Sequence, residues 1–71
     1  MQQIEIFKTN VNNKSAASNA LQNLSLVLPE CEINFDLDDP DNVLRIAGQS
    51  IDVQIVLNSM KQQGYRCKLI Q

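Results

Sequence analysis

The sequence predicts an α+β sandwich, four strands in one antiparallel sheet with two helices on one face. Three observations point there. Between Cys31 and Asp38 apolar and polar residues alternate strictly, which is the signature of a half-buried strand. Two separate segments carry apolar residues at helical spacing. The elements fall in the order β-α-β-β-α-β, so that each half of the 71-residue chain repeats a β-α-β pattern.

The first strand is Ile4 to Thr9. Ile4 and Ile6 share one face, and Glu5, Phe7 and Thr9 share the other. A polar stretch, Asn10 to Ser15, follows and is broken only by Val11. Asn12, Asn13 and Ser15 can each cap a helix, and Asn13 is the favoured cap. The helix then runs to about Leu28. Ala17, Ala20, Leu21, Leu24 and Leu28 form its inner stripe, and Pro29 ends it.

Cys31, Ile33, Phe35 and Leu37 form the apolar side of the second strand. Asp39-Pro40-Asp41-Asn42 suits a type I turn, with Asp first and Pro second. Val43 to Ala47 returns as the third strand, with Leu44 and Ile46 inward. Phe7 and Val43 are expected on the open face. Asp52 caps the second helix, with Ile51 and Val56 spaced for a hydrophobic staple. Val53, Val56, Leu57 and Met60 give its inward stripe, and Gly64 ends it in a left-handed conformation. Tyr65 to Ile70 closes the sheet. Right-handed crossovers put the first and third strands in the centre, giving a ferredoxin-like sheet of order 4-1-3-2 in one domain, residues 1–71.

Composition narrows the function. Six Lys and Arg against eight Asp and Glu give a net charge of −2, the wrong sign for a nucleic-acid binder. No apolar run approaches ~18 residues, so no membrane insertion is expected. The stretch from Met1 to Glu5 lacks the basic and apolar regions of a signal peptide, which predicts a cytoplasmic protein. The absence of histidine removes the commonest general base and metal ligand. With no nucleophile–base pair and no glycine-rich phosphate loop, no enzyme is expected.

Three local strings carry a family resemblance. They are Phe7-Lys8-Thr9-Asn10-Val11, Asp36-Leu37-Asp38-Asp39-Pro40 and Met60-Lys61-Gln62-Gln63-Gly64-Tyr65. In this order and spacing the chain, from Ile4 to Ile70, resembles the heavy-metal-associated domain family of copper chaperones and copper-ATPase N-terminal modules. That family holds soft metal with a Cys-x-x-Cys where the first loop meets the first helix. The resemblance places its two cysteine positions on Asn13 and Ala16, where the sequence reads Asn13-Lys14-Ser15-Ala16. An amide oxygen is a hard, weak donor and a methyl is none, so the usual copper(I) site is expected to be lost.

The remaining thiols, Cys31 and Cys67, belong to opposite edge strands in the predicted order. These edges lie about three strand spacings, roughly 14 Å, apart, too far for a disulfide or a shared metal. As small apolar side chains, both are expected in the core. The alternative makes them intermolecular ligands for copper(I) or another soft metal. Six acidic residues cluster between Glu30 and Asp41, as turn-forming side chains or as a docking surface. Lys61, Arg66 and Lys68 gather at the other edge, which suggests a two-pole molecule. The resulting expectation is a non-catalytic domain without a cofactor that meets a protein partner. Its contact residues would be Asn13, Lys14 and Ser15 with Asp38, Asp39 and Asp41. The alternative is a heavy-metal carrier.

Overall fold

In the computed structural model, which describes residues 2–70, the chain runs β1 (Gln3–Thr9), α1 (Lys14–Val27), β2 (Glu32–Asp36), β3 (Val43–Gly48), α2 (Val53–Gln62) and β4 (Cys67–Leu69). Met1, at the head of the stretch read above for a leader, lies outside the described residues. The strands form one antiparallel sheet of order β2-β3-β1-β4, which is the expected 4-1-3-2 read from the other edge.

The helix boundaries follow from their caps. Asn13 is extended, and its Oδ1 accepts the Ala16 N–H at 2.8 Å. At the far end the Leu28 N–H donates to the Leu24 carbonyl at 2.8 Å, and Pro29 follows. Asp52 Oδ1 accepts from the N–H groups of Gln54 and Ile55 at 3.0 and 3.4 Å. Gly64 has φ +88°, which lets the chain close α2 with two reverse bonds. The Tyr65 N–H reaches the Met60 carbonyl and the Gly64 N–H reaches that of Lys61, each at 3.0 Å. The β2–β3 turn is closed by the Asn42 N–H on the Asp39 carbonyl at 2.9 Å. Asn42 takes φ +48°, a conformation asparagine tolerates.

Both helices pack on the sheet face that carries Phe7, Ile33, Leu44 and Ile46. Leu24 of α1 and Val56 and Met60 of α2 complete the fully enclosed centre, with Val11 from the loop after β1. Leu21, Val53 and Leu57 are half-buried at the margin.

One face assignment is corrected. Phe7, expected on the open face, is 0% exposed, whereas Ile4 is 45% exposed and lies on the open face with half-buried Ile6. The cause is register. Phe7 pairs with Leu44, directly paired residues share a face, and Leu44 is enclosed by the helices. Val43 does stand on the open face, beside Ile4 and Ile6.

Gly48, at the end of β3, is fitted to Cys31. A Cβ built on Gly48 would come within 2.8 Å of the Cys31 Sγ. The Gly48→Ala substitution is therefore expected to cost about 1–2 kcal/mol through overpacking. Adding Cys31→Ala should recover most of that cost. Urea unfolding of both single variants and the double variant measures the coupling, and strictly additive effects would contradict the contact.

Candidate interaction site

Three loops meet at one end of the sheet because of strand direction. β1 and β2 both end there, and β3 and β4 both begin there. The end therefore carries residues 10–13, the 37–42 turn and residues 63–66. Thr9 and Asn10 lace them together. The Thr9 N–H donates to the Asp41 carbonyl at 3.2 Å, and its hydroxyl donates to the Asn42 carbonyl at 2.6 Å. The same hydroxyl oxygen accepts the Val11 N–H at 3.2 Å. Asn10 then exchanges two bonds with Arg66. Its N–H donates to the Arg66 carbonyl at 3.3 Å, and its Oδ1 accepts the Arg66 N–H at 2.9 Å.

The sequence reading did not single out Thr9 or Asn10 as organisers of this end. The available signal was a hydroxyl residue on the inward side of a central strand, which must find partners if it is buried. Thr9 is 7% exposed and has them.

The expected contact residues do fall at this end. Lys14 and Ser15 are exposed on the first turn of α1, and Lys14 lines a shallow groove with Leu37 and Phe35. Asp38 is exposed at the tip of the turn. Asp39 and Asp41 are partly committed to the fold. The Asp39 carboxylate accepts the Asp41 N–H at 2.8 Å, and the Asp36 carboxylate accepts the Asp38 N–H at 3.2 Å. The aspartates thus shape the turn. Asp41 also pairs with the Lys8 ammonium at 3.5 Å, both side chains being about half exposed. Such a pair contributes little to stability. The two-pole expectation needs adjustment, because Lys8, Asp41 and Arg66 line one groove and the opposite charges meet there.

At the start of α1 the two positions matched to metal ligands serve the helix. The Asn13 amide oxygen is taken up by the Ala16 N–H, and Ala16 offers a half-buried methyl. Cys31 immediately precedes β2 and Cys67 lies in β4, the two outer strands. Both thiols are free, half-buried and packed against the core. Burial pushes the Cys67 thiol up to about 11, so it stays protonated at neutral pH and is a poor ligand. Among the described residues no three Cys, Asp or Glu side chains converge on a point that could hold a metal ion. Among them, too, no helix is long and apolar enough to cross a membrane. No family model and no curated protein matches the chain.

Proposed function

We propose that this chain is a ferredoxin-like domain of heavy-metal-associated type that has lost its metal site and works as a non-catalytic protein-interaction module. The observation that carries the reading is the Asn13 cap. The side chain standing where the family has its first thiolate is spent on the Ala16 N–H at 2.8 Å. Lys14 beside it adds a positive charge that repels a cation.

The loop survives as a docking end. Lys14, Ser15 and Asp38 are exposed there on a base tied by Thr9 and Asn10, so a partner meets a surface already ordered. Asp39 and Asp41 hold the turn in shape and give it negative charge. The partner is a protein whose surface complements this mixed charge. The element order, the sheet order and the three family-like strings support the family assignment.

Copper(I) loading tests the loss of metal. Reduced protein, loaded anaerobically and competed with a thiol buffer, is expected to give a metal-free native mass spectrum. Copper retained by the monomer or by a dimer would overturn the lost-site reading and revive the carrier built on Cys31 or Cys67. Docking is tested separately, with a photo-crosslinking residue placed at Ser15 or at Gln22. A discrete adduct from Ser15 alone is expected. Equal capture from Gln22, on the outer face of α1, would remove the loop end as the contact.

A further inference from the structure

The helix-free face of the sheet is a second surface, distinct from the loop end. Its side chains form rows fixed by the strand register. One row reads Asp36, Val43, Lys8, Lys68 from β2 to β4. The next reads Asn34, Arg45, Ile6 and Ile70, the last held by its N–H on the Ile6 carbonyl at 2.8 Å. A third reads Glu32, Ala47, Ile4. On the two central strands the face carries Val43, Ala47, Ile4 and Ile6 with the exposed cations Arg45 and Lys8 between them, and Ile4 and Ile70 are 45% and 48% exposed. Among the strand residues of the face the acids lie on β2 and the cations on the three strands beyond, while Asp41 of the turn pairs with Lys8.

We propose that this face is a self-association surface on which a second copy of the chain stacks about a two-fold axis running along the strands. Such an axis places β2 of one copy over β4 of the other and keeps each row in line. Asp36 then faces the Lys68 position of the second copy, twice by symmetry. Ala47 meets Ile4, and the alkyl stems of Lys8 and Arg45 lie over Val43 and Ile6. Lys8 is already paired with Asp41 in its own chain, which leaves Lys68 as the cation available to Asp36. An axis across the strands is disfavoured, because it would set Asp36 over Glu32. Both thiols lie on the helix-covered side, so this dimer brings no cysteines together.

Area sets the strength. Four strands about 4.8 Å apart, over five residues of about 3.4 Å rise, give roughly 300 Å² in plan. A stable complex buries ~800 Å² per partner. The dimer is therefore weak and transient.

Sedimentation equilibrium from about 10 μM to about 1 mM tests this. The average mass should rise from 8.0 kDa toward twice that value. Asp36→Lys and Lys68→Asp should each weaken association roughly tenfold, since each removes two symmetric pairs. The double exchange should restore it, a recovery that misfolding would not produce. Ile4→Lys, at an exposed position, should also dissociate the dimer. A monomer throughout the range, or a double exchange that fails to restore association, would overturn the proposal.

Discussion

Phe7→Ala is expected to remove most of the stability of the protein. Phe7 is 0% exposed and sits in a central strand, paired with Leu44 and next to β4. Truncating a buried phenylalanine costs about 3–5 kcal/mol, because lost transfer energy adds to the cavity left behind. A domain of this length has only about 4–10 kcal/mol in all, at ~0.05–0.15 kcal/mol per residue. Urea denaturation should show a midpoint collapsed toward zero, or no folded baseline. Ile4→Ala, three positions before it and on the exposed face, should cost less than about 1 kcal/mol. Equal costs at the two positions would refute the assignment of faces.

That pair of variants also marks where sequence reasoning stopped. Alternation shows that Ile4 and Ile6 oppose Phe7 and Thr9, but both sets contain a large apolar residue. The Phe7 side also carries two polar residues, Glu5 and Thr9. Thr9 is buried nonetheless, because its hydroxyl donates to Asn42 and accepts from Val11, bonds that join residues up to 33 positions apart. Nothing local encodes them. The pairing Phe7↔Leu44 would have settled the face, and register is a tertiary fact.

Local chemistry was legible wherever a residue type answers a local geometric need. Asn13 and Asp52 cap helices because their short side chains reach the first free N–H groups. Gly64 accepts φ +88° without a side-chain penalty. The candidate site was legible in part for the same reason. Asn13, Lys14 and Ser15 lie beside the 37–42 turn because β1 and β2 run in the same direction, which the element order implies. Asn10, which holds the third loop through Arg66, was hidden because its partner is 56 residues away. The charge sorting on the open face was hidden too, since it depends on reading Asp36, Val43, Lys8 and Lys68 as one row.

Putting cysteine at both Asn13 and Ala16 is expected to give a protein that holds one copper(I) per chain at the start of α1, where the native sequence is proposed to hold none. Residues three apart at a helix start lie side by side, within about 5–6 Å between Cβ atoms. Asn13 is the cap residue of α1 and Ala16 lies in its first turn, so both thiols would sit at the positive end of the helix. There the helix end lowers a thiol pKa, and copper(I) displaces the remaining thiol protons as it binds. Two thiolates around copper(I) carry a net negative charge, which Lys14 would then favour. Losing the Asn13 cap costs about 1 kcal/mol, which a folded domain tolerates. Neither Asn13→Cys nor Ala16→Cys alone should retain copper against a thiol buffer, since each supplies one ligand. Native mass spectrometry of the reduced single and double variants decides it. If the double variant stays folded by circular dichroism and still emerges without copper, the start of α1 does not have the geometry of a metal loop. The proposed descent from a metal-binding domain would then lose its support, while the loop end and the open sheet would keep their claims as contact surfaces on their own geometry.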